Sequence, residues 1–410
     1  MIRKIKLIMK LISRRNFMKL AASGAIAIST TNKINAKSLL SDLNTPRGGS
    51  DPGPHNELRD QENPDIINPP LTDKGTLPNL RFSFSDSHIR NESGGWTRQI
   101  TQRELTVSKT ISGVNMRLNT GGIRELHWHK EAEWAYMLYG NAQITAMDTN
   151  GKFFIDNIKT DDLWYFPPGI PHSIQGLIPD GCEFILAFDN GNFDEDSTFL
   201  LSDWFKHTPT DILSKNFQIS KKNFNILPKP EEKYIFQGTK NKIKYNINKK
   251  YISKKKFSYK MSVKKAIKFK KGKIKIADTS NFKISKNISA ALVELKKGAI
   301  RELHWHPNND EWQYYIIGKA KMGVFASSDT ARTFDMKAGD VGYIPFAMGH
   351  YIENIGNETL KFLEIFKSSY YADISLKQWL SLTPEQLIQD HLNLNSNFKK
   401  SLNKEKTPII

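Results

Sequence analysis

Cysteine is almost missing from this sequence. Cys182 stands alone among 410 residues, so no disulfide can form within the chain. Long apolar runs are missing too: no uninterrupted stretch reaches the ~18 residues that a helix needs to cross a bilayer. Between Lys240 and Lys275 there are 16 lysines but no arginine, aspartate or glutamate. That one stretch carries nearly all of the formal net charge of +18. Lysine without arginine, and with irregularly spread aromatics, is poor material for reading phosphates or bases, so the basic balance does not point to nucleic acid. The stretch reads as a solvated connector, with attraction for small anions or anionic membranes as the alternative. The rest is globular text. Hydrophobic residues make up 39% and aromatic residues 11%, which excludes a disordered chain, and 410 residues are enough for two separate cores.

What is present is a repeat. "GIRELHWHKEAEWAYMLYG" begins at Gly122, and "AIRELHWHPNNDEWQYYIIG" begins at Ala299, with His127 and His304 lying 177 residues apart. A second pair, "HTPTDIL" after His207 and "LTPEQLI" after Leu382, keeps nearly the same separation. Between these landmarks both halves are built of short alternating segments broken by Gly, Asn, Asp and Pro. That pattern predicts an all-β fold of two tandem barrels, each followed by short helices. Thr208 and Thr383 are expected to cap those helices, with Pro209 and Pro384 in the first turn.

The histidines define two candidate centres. His127 and His129 are two apart, so on a strand both side chains share one face. Glu133 follows closely, and His172 comes after "FPPGIP". The second half offers His304, His306, Glu311 and His350. Three imidazoles and one carboxylate suit Mn²⁺ or Fe²⁺ with positions left for water or substrate, whereas zinc would ask for a more closed tetrahedron. Arg124 and Arg301 lie three residues before the first histidine of each set. An odd spacing sends them to the opposite strand face unless a bulge turns them inward.

These residues fit the two cupin motifs. Gly121, His127, His129, Glu133 and Gly140 match the first, as do Gly298, His304, His306, Glu311 and Gly318 with one extra residue before the acid. Pro167, Gly169 and His172 match the second motif, and Gly339, Pro345, His350 and Asn354 repeat it. Asp161, Gly176 and Ala347 depart from the usual residues. The chain resembles a bicupin, and from about residue 68 onward it is similar to the bacterial oxalate decarboxylases, least so in the Lys240–Lys275 stretch.

That resemblance implies a double-stranded β-helix in each half. It also implies two Mn²⁺ per chain, oxalate as substrate, dioxygen as co-catalyst and a homo-oligomer, a trimer or a hexamer. It implies that Arg124 and Arg301 turn inward to hold the substrate carboxylate. "DEDS" at Asp194–Ser197 resembles the family's lid, usually Ser-Glu-Asn-Ser, whose Glu donates a proton. Glu195 matches that Glu, and its flanking aspartates are expected to raise its pKa. Glu364, in "LKFLEIF", is expected inward as the second-domain counterpart. The reaction implied is carbon–carbon cleavage of oxalate to formate and CO₂. The alternatives are an oxalate oxidase releasing peroxide, and a non-catalytic binding or storage cupin.

The N-terminus is separate text. "SRRNFMKLAASGAIAIS" from Ser13 resembles a twin-arginine export signal, which implies the twin-arginine translocase as a transient partner and a periplasmic or extracellular destination. The expected divisions are a signal over 1–36, an extended arm over 37–80, a first cupin domain over 81–239, the Lys-rich connector over 240–275 and a second cupin domain over 276–410.

Overall fold

The computed structural model describes residues 54, 56–229, 233–242, 244–394 and 396–410. The expected export signal and residues 37–53 and 55 of the expected arm lie outside the described residues. The chain divides into two units, Met1–Asn68 and Pro69–Ile410. In the first, two short helices, Glu57–Glu62 and Pro64–Ile67, follow each other, and the Asn56 side chain caps the first by accepting from the Arg59 N–H.

The second unit holds both barrels and bears out the all-β expectation. In the first barrel the long strand Glu133–Met147 runs through both layers. Its first half pairs with Leu163–Phe166 and Cys182–Phe188, and its second half with Phe153–Lys159 and His172–Gly176. The strand bends at Gly140, whose φ is +79°. A Cβ there would lie 2.1 Å from the Gly181 carbonyl oxygen, so only glycine fits. In the second barrel the same element breaks at Gly318 (φ +93°) into Glu311–Ile317 and Lys319–Phe325.

Strand alternation sorts the side chains. Glu133 points into its barrel while the next residue, Trp134, points the other way. Trp134 and its repeat Trp312 are fully buried in a cluster contributed by both barrels, with Tyr136, Tyr165, Tyr343 and Ile365. Each barrel interior has its own cluster, around Met116, Ile144 and Phe184 in the first and Val293, Met322 and Phe362 in the second.

Several segments reach across the repeat. Arg81–Ser83 pairs with Asp340–Gly342 of the second barrel, and Asp73 accepts 2.8 Å hydrogen bonds from the Thr333 N–H and hydroxyl. Within the Lys-rich stretch, Phe257 is buried in the first barrel's interior and Ser258–Tyr259 pairs with Leu163–Trp164. Ile267–Phe269 then forms a hairpin with Gly272–Ala277 at the edge of the second barrel's sheet. The stretch is therefore fixed along much of its length by apolar anchors set between its lysines. The C-terminus closes the second barrel: Ile300 and Ile410 exchange backbone hydrogen bonds of 2.9 and 3.0 Å.

The helices fall where expected, but their caps do not. Pro209 and Pro384 themselves occupy the N-cap positions of Thr210–Phe217 and Glu385–Leu392. The Thr208 and Thr383 hydroxyls donate backward, to the Trp204 and Trp379 carbonyls at 2.7 and 2.8 Å. With proline at the cap, the peptide N–H groups of the next helix lie beyond the threonine's reach. The freed carbonyls of the preceding helix are near, and threonine satisfies those instead.

Candidate metal centres and active site

Both four-residue sets converge. The ligand atoms of His127, His129, Glu133 and His172 all lie within 4.8 Å of one another, as do those of His304, His306, Glu311 and His350, and all eight residues are buried. His127 and His172 face each other across paired strands, and so do His304 and His350.

The backbone fixes which nitrogen points inward. Nδ1 of His127, His129 and His172 lies 2.6, 2.8 and 2.8 Å from the carbonyl oxygens of Glu125, Glu131 and Ile170. In the second set, Nδ1 of His304, His306 and His350 meets the carbonyls of Glu302, Ala372 and Met348 at 2.7 to 3.0 Å. A carbonyl can only accept, so Nδ1 carries the proton and Nε2 presents a lone pair. Those lone pairs meet a carboxylate. Glu133 Oε2 lies 3.2 and 3.3 Å from His129 and His172 Nε2, and Glu311 Oε2 lies 3.1 and 2.8 Å from His306 and His350 Nε2. Nε2 of His172, His304, His306 and His350 is buried with no hydrogen-bond partner. Four acceptors converging with no donor call for a cation, and the donor set fits a divalent metal.

Electrostatics agree. Burial, then the positive Arg124, lowers the His127 pKa well below its ordinary value, and burial lowers that of His172. Burial alone would raise Glu133, but His172 and His129 outweigh it and hold the carboxyl below the usual range. His306 differs: burial would lower it, yet the Glu311 carboxylate outweighs burial and raises it.

Each cluster's carboxylate is oriented differently. Trp164 Nε1 donates to Glu133 Oε1 at 2.9 Å. In the second barrel Gln313 Nε2 donates to Glu311 Oε1 at 2.8 Å, and Tyr315 donates to Gln313 at 2.8 Å.

The arginines turn inward because a bulge overrides the odd spacing. Arg124 pairs with Ile174 and His127 with His172, so two residues, Glu125 and Leu126, oppose the single Ser173 and the parity is absorbed. Arg301 and His304 repeat it against Ile352 and His350. Arg124 is buried, donates to the Tyr234 carbonyl at 3.2 Å and lies 3.8 Å above the Tyr234 ring. Glu195 is buried, and Thr97 donates to its Oε1 at 2.7 Å. Arg124, His127, His129, Glu133 and Glu195 line one small cavity with Leu186, Phe188 and Phe193. The Glu195 pKa is raised, but the cause differs from that expected. Burial raises it, while Asp196 is turned away onto Arg90 at 3.0 Å and Asp194 caps the Asp196 N–H.

In the second barrel Glu364 stands on the strand Leu360–Phe366, at the position Leu186 holds in the first. It receives Arg301 Nε at 3.2 Å, while Arg301 Nη2 donates to the Tyr371 hydroxyl at 2.7 Å and to Asp373 at 2.5 Å. Burial raises the Glu364 pKa to about 7, against the opposing pull of Arg301.

Sequence reasoning missed Thr97, Tyr234, Tyr371 and Asp373. Tyr234 and Asp373 follow the repeated landmarks at unequal distances, so repeat alignment carried no signal for them. Two of the three motif departures fall where the backbone is left-handed. Asp161 and Ala347 adopt φ of +69° and +63° where glycine is usual. Asp161 recovers part of that cost through Lys361 at 2.7 Å and the Tyr136 hydroxyl.

The chain matches the Cupin family model twice, over residues 83–225 and 261–400. It is 52% identical over 370 residues to oxalate decarboxylase OxdC of Bacillus subtilis, covering 87% of this chain and 93% of that one. It is 38% identical over 395 residues to an oxalate decarboxylase of Arthroderma benhamiae, covering 87% and 90%. A solved structure of the Bacillus subtilis enzyme, studied for its Mn(II) centres, superimposes with a TM-score of 0.85 over 88% of this chain and 97% of that one, at 52% identity.

Proposed function

Because the chain belongs to the bicupin oxalate decarboxylases, we propose that it converts oxalate to formate and CO₂ with manganese bound in both barrels and the chemistry in the first. One observation carries the choice of barrel: a buried arginine without a carboxylate partner and a buried acid share a cavity with the first metal cluster.

Bound manganese would supply Lewis-acid and one-electron chemistry, with dioxygen as the co-catalyst. The residues do the rest. His127, His129, Glu133 and His172 hold the metal, their tautomers set by backbone carbonyls. Arg124 fixes one substrate carboxylate through its planar fork and opposes the substrate's charge. Leu186, Phe188 and Phe193 keep the cavity small and apolar, which strengthens these electrostatic contacts. Loss of CO₂ leaves a one-carbon fragment that must take up a proton. Glu195, protonated because burial raises its pKa, donates it and is reprotonated from solvent. The balance is the oxalate dianion and one solvent proton in, formate and CO₂ out.

We further propose export through the twin-arginine route, resting on Ser13–Lys19, and assembly as a homo-oligomer. Exchanging Arg14 and Arg15 for lysine should strand folded, metal-loaded protein in the cytoplasm.

The test of function is an assay of manganese-loaded protein with oxalate, aerobic and anaerobic, measuring formate and peroxide together. Formate is expected as the main product. Peroxide as the main product would hand the function to the oxidase, and no turnover with full metal would leave a binding protein.

A further inference from the structure

The Lys-rich stretch contributes no residue to the proposed active site, yet it builds one wall of a cleft. This cleft, of about 760 Å³, lies between Lys254–Lys260 and Asn281–Asn287, over the Pro167–Pro168 turn. That volume falls in the range of small-molecule sites. Its floor is apolar. Tyr165, Phe257 and Phe282 are buried, and Tyr259 stacks on Phe282 with centroids 5.3 Å apart and planes inclined by 29°. Its rim is cationic. Lys254, Lys255, Lys256, Lys260, Lys283 and Lys286 line it, and among the described residues no aspartate or glutamate does. Among the described residues only Lys260 of these forms ion pairs, with Asp156 and Asp162 at 3.6 and 3.4 Å, and Lys255 lies close enough to Asp148 to help lower its pKa.

The wall is held rather than loose. Phe257 is anchored in the first barrel's interior, Ser258 donates to Asp156 at 2.6 Å and Lys260 donates to the Asn157 carbonyl at 2.6 Å. Four ammonium groups without an acid partner among the described residues, Lys254, Lys256, Lys283 and Lys286, beside a fixed aromatic shelf ask for a ligand with two parts. An apolar body would cover the rings, and a multiply charged head would neutralise the rim. Oxalate has no such body.

We infer that this cleft is a second binding site, for an amphiphilic organic phosphate, separate from the metal centres. Without arginine's bidentate fork these lysines cannot read a phosphate by geometry, but each ammonium attracts one as a compact point charge, and the aromatic shelf supplies what inorganic phosphate cannot use. The head could belong to a soluble ester or to a lipid, and the test separates the two sources.

Calorimetric titration of the full, manganese-loaded chain would use 1-naphthyl phosphate, with inorganic phosphate and 1-naphthol as controls. Saturable binding of the ester alone is expected. Changing Lys254, Lys255 and Lys256 together to Gln should weaken it by about tenfold or more, while the equal charge change at Lys268, Lys270 and Lys271, outside the cleft, should weaken it by less than about threefold. Tyr259→Ala should weaken the ester without affecting the lysine contacts. Oxalate turnover should stay unchanged throughout, which shows that the variants fold.

Flotation with phosphatidylcholine vesicles, with and without phosphatidic acid, identifies the source. Capture that depends on Lys254–Lys256 assigns a lipid headgroup, and ester binding without capture assigns a soluble one. Equal binding of inorganic phosphate, equal losses in the two triple variants, or displacement of the ester by a DNA duplex would overturn the proposal in favour of diffuse charge.

Discussion

The two barrels carry the same ligands in the same geometry, yet their arginines live differently. Among the described residues Arg124 meets a backbone carbonyl and an aromatic face and forms no ion pair. Arg301 is held by Glu364, Tyr371 and Asp373, and Lys406 also pairs with Asp373. A dicarboxylate entering the second site must compete with two carboxylates already in place, with Arg301 Nη1 as the one guanidinium nitrogen left without a partner. One substitution marks the divergence, leucine at 186 against glutamate at 364. On the proposed division of labour, likeness of the metal sites does not carry likeness of catalysis, because the charge balance around the arginine would decide whether substrate can bind, and a buried pair resists being broken.

The largest effect expected separates the barrels by metal. Protein grown with manganese should approach two ions per chain, and His127→Ala should keep one while losing formate production by more than about 100-fold, since outer-shell changes alone cost about 10–100-fold. His304→Ala should also keep one ion but retain formate production. Equal loss of activity in both would end the division of labour.

Next comes the acid. Glu195→Gln keeps shape and a donor but has no proton to give, so formate should fall by about two orders of magnitude, with residual turnover shifted toward peroxide. Glu364→Gln should change formate little. The pH profile gives an independent reading. Burial raises the Glu195 pKa above its ordinary 4.5, so the protonated form persists to higher pH than for an exposed carboxyl. Formate production should decline as pH rises through that raised value, and Glu195→Gln should erase this limb. At the acid end, activity should fall as protons displace metal from the imidazoles.

A smaller effect tests the comparison directly. Leu186→Glu installs in the first barrel the carboxylate that engages Arg301 in the second, and should raise KM for oxalate by about tenfold, or ~1.4 kcal/mol of lost binding. Thermal melting checks that the variant folds. An unchanged KM would mean that carboxylate capture of the arginine is not what silences the second site.

The smallest effect concerns the loop that holds the acid. Arg90 stacks on the face of Tyr234, as Arg124 does, and pairs with Asp196. Asp196 is largely exposed, so the pair is screened, and Arg90→Gln should lower formate production by only about two- to threefold. A loss as large as that of Glu195→Gln would make this ion pair the main hold on the acid.

Much of this was legible in the sequence. Strand spacing two apart put His127 and His129 on one face, the repeat doubled the site, and the three-residue offset of Arg124 demanded the bulge that the register contains. These are properties of local periodicity, which the order of residues sets by itself. Other features depend on what is brought alongside from far away. That Glu364 engages Arg301 while Glu195 does not pair with Arg124, that burial rather than Asp194 or Asp196 raises the Glu195 pKa, that Thr208 bonds backward, and that the lysines of 254–256 border an aromatic cleft all turn on neighbours distant in sequence. Spacing determined which side chains could share a face. Tertiary packing decided which of them lost their water, and loss of water sets the strength of every charge in the two sites.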